Sequence, residues 1–514
     1  MQKLVPVVSI IFTLLLSYAE TSFAQSLELD NSFSGDGKVL SSLSFSTSGG
    51  NVIIQDDGKI LVCGTGTNGS DNIVLMRYNT NGTLDNTFDS DGIVITDYLG
   101  FDNSAKAIML QPDGKIIIAG QSFDGSGTAI MLIRYHANGT LDNTFDSDGI
   151  VITDLSADDN AANSIALQPD GKIIIGVEHI GTVVVPGDFI VIRYNADGTI
   201  DTSFDSDGMT ITDLDGENNV CKAVSIQPDG KIIAAGASFV TPGVNQCNLI
   251  RLNPDGSLDN TFDADGKASS NLGSDLIAVS SMALQPDGKI VLGGYSDATG
   301  EIGFMLARYN SDGSADNTFD SDGFVLTPID DQTSICNDVK LQNDGKIVAV
   351  GFYTSGGLTK PLMARYNQNG SLDYEFDFDG TATPSLTTYN DLAVKFGIQS
   401  DGKFIIAGQT GVSGNYDLFV ARYQVFIDAG VAKNETMLMA VFPNPVSEQF
   451  TVQLTKESKD VSIKTVDASG KIISQIENLS GTNFSIDLSN QPTGIYILEV
   501  SNGEYIERIK VIKK

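Results

Sequence analysis

The chain has 514 residues, 41% hydrophobic and 19% charged, with 53 glycines, a composition that fits a large folded, turn-rich protein and excludes a disordered one. Its formal net charge is −34, and the segment from Asn434 onward contributes little of it, with eight Lys/Arg against ten Asp/Glu. So acidic a body repels phosphate backbones and anionic lipid, which argues against nucleic acid and membrane surfaces as partners.

At the N-terminus, Lys3, the apolar run LVPVVSIIFTLLL (4–16) and Ser22-Phe23-Ala24 have the three-part pattern of a secretory signal peptide over 1–24. That run is too short to span a bilayer, and no later segment is apolar enough for a membrane helix. We expect an exported monomer, secreted or held at the outer cell surface.

From residue 29 the chain repeats itself. Q-x-D-G-K recurs with its glycine at 58, 114, 171, 230, 288, 345 and 402, a period of 56 to 59 residues. Each copy has four short apolar runs in the same order, as in NSIALQ (163–168), KIIIG (172–176), FIVIRY (189–194) and GMTIT (208–212). Runs of that length bounded by Gly, Asn and Asp read as strands. The first two are joined by a tight turn with glycine in the left-handed position, the next two by a loop of variable length, such as 178–188. Four antiparallel strands repeated seven times predict an all-β, seven-bladed propeller over 25–428.

The last copy has no fourth run. An orphan LDNSFSGDG stands at 29–37, and its equivalents elsewhere are LDNTFDSDG at 84–92 and 141–149. The segment 29–44 is therefore expected to pair with 418–424 and close the ring, because an unpaired strand edge would otherwise stay exposed. Asp30 should then meet Arg422, as Asp85 meets Arg77 within one repeat.

The string ALQPDGKII…RYNxDGxLDxxFDxDG resembles the delta-60 repeat, found in bacterial surface and secreted proteins. After a linker at 429–437, residues 438–514 carry FPNP (442–445), the TGIYILEV strand (493–500) and a basic terminus. Alternating strands with DASGK and SNGE turns predict a small Ig-like β-sandwich; this part resembles the type A sorting domain of type IX secretion in Bacteroidota, and the resemblance implies handling by the type IX machinery.

Residues that could carry chemistry recur too. Two carboxylates one residue apart and followed by glycine resemble the opening of a calcium loop. The pairs are Asp89/Asp91, Asp146/Asp148, Asp205/Asp207, Asp263/Asp265, Asp320/Asp322 and Asp377/Asp379. The competing reading, which we favour, is a turn capped by its own Asp, because the third acid and distal Glu of a calcium loop are missing. Calcium is the one cofactor considered; no other is indicated. Arg77, Arg134, Arg193, Arg251, Arg308, Arg365 and Arg422 end the third strands and are read as structural bridges to Asp in their own blades. The phenylalanine of each F-D-x-D-G is read as a core wedge. Cys63, Cys221, Cys247 and Cys336 are read as packed thiols, since Cys221 and Cys247 fall on strands one and three of one sheet.

His136 and His179 lie in different repeats, and no nucleophile motif or metal set appears. We therefore expect a non-enzymatic binding or scaffold module for an extracellular ligand that the sequence does not name. The alternatives are a secreted hydrolase or lyase with a metal at the channel mouth, and a purely structural surface protein.

Overall fold

A computed structural model describes residues 25–514 except 42, 124, 126, 156–158, 181–187, 215–217, 240–244, 273–275, 299, 330–331, 378, 385, 413–414, 428–438, 468–470 and 502–505. The signal peptide, the linker and most of the 178–188 loop lie outside the described residues. The chain divides into two compact units, one ending at Ile427 and one beginning at Asp428.

The first unit is a seven-bladed propeller made only of strands among its described residues. In the third blade, Asp159–Leu167, Ile173–Ile180, Phe189–Tyr194 and Met209–Thr212 form one antiparallel sheet in that order. The other blades repeat this plan. The first strands of neighbouring blades touch one another and line the axis, and the short fourth strands form the rim.

Two-sided burial explains the continuous apolar runs. Ile173, Ile175 and Val177 pack with the second blade, while Ile174 between them packs with the fourth. A strand covered on both faces has no polar side to alternate with. One apolar cluster fills each seam between blades, including the seam where blade 7 meets blade 1 through Ile405, Ala407, Val62 and Val74. Cys63, Cys221, Cys247 and Cys336 are free thiols in this core, and burial pushes the last three up to about 12.

The ring closes as the orphan segment predicts. Lys38–Leu40 pairs with 419–421 and takes the place of the missing rim strand. Gln25–Leu29 adds a second pairing, with 423–427, beyond the 418–424 expected from the sequence. The second unit is a small β domain with strands Met439–Phe442, Gln449–Asp467, Ile472–Asp487, Gly494–Ser501 and Ile506–Lys513. All five belong to one hydrogen-bonded sheet, whose two long strands shift register repeatedly around a core containing Phe450, Ile463 and Leu498. The FPNP motif has a structural job there: Asn444 donates to Lys510 O at 2.7 Å and accepts from Ile512 N at 2.8 Å.

Candidate functional site

The repeated polar residues form a latch at each seam. Arg77 Nε donates to Asp85 Oδ2 at 2.7 Å, and Lys59 Nζ from the Q-x-D-G-K turn reaches the same oxygen at 3.0 Å. Thr87 donates both its amide and its hydroxyl to Asp85 Oδ1. Burial pushes the Asp85 carboxyl upward, but Thr87, Lys59 and Arg77 more than offset it and hold it well below the usual range. Asp142, Asp201, Asp259 and Asp316 are lowered in the same way.

The arginines bridge to Asp of their own blade, as expected, but they also cross to the next one. Arg77 Nη1 donates to Ala137 O at 2.6 Å, and Arg134, Arg193, Arg251 and Arg308 donate to Ala196, Pro254, Ser311 and Gln368. The guanidinium of Arg77 also lies 4.5 Å from the centre of the Phe88 ring. On its other side that ring meets the next blade at Gly139 (φ +92°), where a Cβ would come within 3.1 Å of it. Phe88, Phe145, Phe204, Phe262, Phe319 and Phe376 are all fully buried, so the wedge reading holds and gains an interblade role.

The ring closure reproduces this latch from two chain ends. Arg422 Nε donates to Asp30 Oδ2 at 2.8 Å, Nη1 to Thr80 O at 2.5 Å and Nη2 to Ser32 Oγ at 2.9 Å. Burial raises the Asp30 carboxyl, and Ser32, Lys403 and Arg422 outweigh that and lower it.

The F-D-x-D-G carboxylates sit in interblade turns. The first Asp has a left-handed backbone (Asp89, φ 43°), and its amide donates to the next blade at Asn138 O, 2.8 Å. The second caps the turn: Asp91 Oδ1 accepts Ile93 N at 2.9 Å, and Asp148, Asp207, Asp265, Asp322 and Asp379 do the same. Asp146 and Asp205 are shifted upward, by burial first and then by neighbouring carboxylates. Among the described residues no three His, Cys, Asp or Glu side chains are grouped to hold a metal ion. His136 is half-exposed beside Asp142 (3.6 Å), and His179 bonds Asn160 at 2.7 Å, in different blades.

One departure from the sevenfold pattern is shared by three neighbouring blades. Four hairpins read Q-P-D-G-K, with Pro112, Pro169, Pro228 and Pro286; the other three carry Asp56, Asn343 and Ser400 instead. Those three belong to blades 1, 6 and 7, which closure makes neighbours. Together they line a concavity of about 630 Å³ where the first strands turn, floored by Ile54, Leu341 and Ile398. Gln55, Gln342 and Gln399 also line it; their buried Oε1 atoms have no hydrogen-bond partner, and the same holds for Gln111, Gln168, Gln227 and Gln285 in the proline hairpins, so this is a feature of every turn. The motif Q-x-D-G-K is common to all seven turns and does not show this departure. Aligning the turns for proline alone would have shown it.

A family model, the β-propeller domain of unknown function DUF5122, matches every repeat: 55–88, 111–145, 168–204, 227–262, 285–319, 342–376 and 399–424. Residues 55–424 are a DUF5122 β-propeller repeat region. Behind the propeller, residues 440–514 are a secretion system C-terminal sorting domain of the type IX kind. This domain implies secretion or attachment at the outer surface, and no helix among the described residues is long and apolar enough to cross a membrane.

No curated protein matches this chain in sequence. Among solved structures, a puromycin hydrolase is similar at TM-score 0.46 and 13% identity, covering 81% of this chain; the chain spans 60% of that protein. The polysaccharide lyase Uly1 is similar at 0.42 and 12%, covering 79% and 98% of the two chains. Chaetomium thermophilum Sqt1 is similar at 0.40 and 11%, covering 81% and 99%.

Proposed function

We propose that this secreted surface protein is a non-enzymatic binding module, exported with an N-terminal signal peptide and monomeric, whose ligand seats at the channel mouth between blades 6, 7 and 1. The observation that carries the reading is that three adjacent turns, and these alone among the seven, lack the proline of the Q-P-D-G-K hairpin. A scaffold needs only the latches, and a purely structural ring has no use for a proline lost three times in one place. The concavity also falls within the roughly 300–1,000 Å³ of small-ligand sites, and its lining is three apolar side chains, two glycines and seven polar side chains.

The test is thermal unfolding of the chain against a panel of peptides, glycans, cell-wall polymers and divalent cations. A ligand that binds only the folded ring raises the midpoint with concentration. A shift with at least one ligand, accompanied by no turnover of it, is the expected result. A flat response to the whole panel would leave the structural reading in its place.

A further inference from the structure

We propose that the central channel is a second binding site, separate from the mouth and its three turns, for a small oxyanion of two or more charges, a carboxylate or a phosphate. The observation behind it is where an acidic ring keeps its spare lysines. The latches take seven arginines and the seven hairpin lysines. Between residues 25 and 427 that leaves Lys38, Lys106, Lys222, Lys267, Lys340, Lys360 and Lys395. Lys38, Lys267 and Lys360 hold loop carbonyls at Leu386, Asp213 and Thr387. The other four all stand on first strands, the strands that line the axis.

They form two stations on opposite walls. At blade 3, Glu178 Oε2 accepts Lys222 Nζ of blade 4 at 2.8 Å and Asn163 Nδ2 at 3.0 Å, and Lys106 of blade 2 adds its field. Half of seven blades further round, at the seam of blades 6 and 7, Lys340 and Lys395 each lie 3.3 Å from an oxygen of Asp338. Burial raises both carboxyls, and the lysines outweigh it and hold them down. Each station therefore has two ammoniums to one carboxylate and keeps a positive charge over. Lys222 and Lys395 already bridge neighbouring blades, which leaves Lys106 and Lys340 surplus to that role.

The fold does not ask for these lysines. Lys106 and Lys222 occupy the β-bulge that every first strand carries, where the other blades have Gly50, Asn163, Ser280, Asn337 and Val394. A bulge leaves its extra residue out of the ladder and re-aims the side chain. Lys222, Lys340 and Lys395 are 35%, 40% and 28% exposed, and solvent that reaches the middle of a first strand is solvent of the channel.

The ends of the channel set the ligand's size. Every Q-x-D-G-K turn puts an Asp at one end, with Asp57, Asp113 and Asp401 more than half exposed. Exposed Asp102 and Asp159 begin their strands at the other. The lysines lie between, within about 10 Å along the strands. A long polyanion would meet those carboxylates as it left the belt, whereas a short one stays inside it, and salt screens the outer acids within about 8 Å. An ammonium is a compact charge with three donors, which suits carboxylate and phosphate oxygens alike.

The full chain is titrated calorimetrically with citrate, pyrophosphate, tetragalacturonate and maltotetraose. We expect one citrate or pyrophosphate per chain, weakened by salt, with the tighter of the two telling a carboxylate ligand from a phosphate one. Binding should be about tenfold weaker in Lys106→Gln and in Lys340→Gln, the loss of one charge-assisted hydrogen bond in each. Lys106→Arg and Lys340→Arg keep the charge and should keep the binding. Glu178 and Asp338 each retain a second lysine, so the Gln variants should melt with the wild type. Tetragalacturonate as the tightest binder would make the ligand an acidic polymer and overturn the small-ligand assignment. Anion binding indifferent to both Gln variants would overturn the site. No anion bound would overturn the proposal, and a lowered melting temperature in the Gln variants would then assign the lysines to bridging between blades. Asp56, Asn343 and Ser400 take no part, so failure here leaves the reading of the mouth to its own test.

Discussion

The two seams that flank blade 7 show what closing a ring with the N-terminus does. Where blade 7 meets blade 1 the latch is complete, with Arg422 held by Asp30, Thr80 O and Ser32 as tightly as Arg77 is held by Asp85, Ala137 O and Thr87. Asp30 and Arg422 are 392 residues apart in sequence, Asp85 and Arg77 only eight. Where blade 6 meets blade 7 the latch is incomplete. Arg365 keeps Asp373 at 2.5 Å, but its Nη2 is buried without a partner. Two causes combine. Glu375 stands where the other blades have Thr or Ser, and the turn whose carbonyl would accept the guanidinium is absent. Blade 7 instead runs straight on from Tyr423 to Ile427 and pairs with Gln25–Leu29. Asp377 Oδ1 adapts by accepting Leu27 N at 3.3 Å. Local geometry is thus indifferent to chain connectivity, but the substitute strand replaces a turn and the neighbouring seam loses its acceptor.

Removing the substitute strand should have the largest effect. Deletion of residues 25–45 with the signal peptide kept would strip the edge from blade 7, and we expect aggregation or loss of cooperative unfolding, read by soluble yield and calorimetry. A folded, soluble product would show that the N-terminal segment decorates the ring instead of closing it. Next come the latch acids. Asp30→Ala and Asp85→Ala each leave a buried guanidinium uncompensated, and each should cost about 3–5 kcal/mol in denaturant unfolding. If the two latches are equivalent, the costs agree to within about 1 kcal/mol.

Acid should act on every latch together. The latch carboxylates lie below their unfolded value of about 3.9, so their contribution is complete above that pH. As the pH falls below about 4 the unfolded chain takes up protons first, and stability declines. Asp146 and Asp205, shifted upward, work in the opposite sense just above that window. A midpoint that stays constant down to pH 3 would contradict the latch account. A smaller gain is expected from Glu375→Thr, which offers Arg365 Nη2 the hydroxyl present in its sisters and should add about 1 kcal/mol in the same denaturant assay. Chelation should have the smallest effect: EDTA is expected to leave the melting temperature unchanged, because the second Asp of each acidic pair already caps its turn. A large drop would revive the calcium reading.

Much of this was legible in one dimension because most of the architecture is local. The strands, the hairpin glycines and the Arg77–Asp85 bridge depend on residues within a single period, and the period is written out seven times. Even the closure could be read, since a repeat missing its fourth run at one end and an orphan at the other have one economical solution. Contacts between repeats were not legible. Nothing in the letters shows that Lys59 shares Asp85 with Arg77, or that Arg77 reaches a backbone carbonyl at Ala137, because a backbone acceptor has no sequence signature.

The sequence by itself determined the blade, its seven copies, the partner at each end of the chain and the sorting domain behind them. Only the tertiary structure decided which departures from the repeat face one concavity, and so which of them matter together. Asp56 stands near one end of the propeller sequence, Asn343 and Ser400 near the other. Read along the chain they are scattered exceptions to a motif. The curvature that closes the ring brings blade 1 beside blades 6 and 7, and the three exceptions become one side of one mouth.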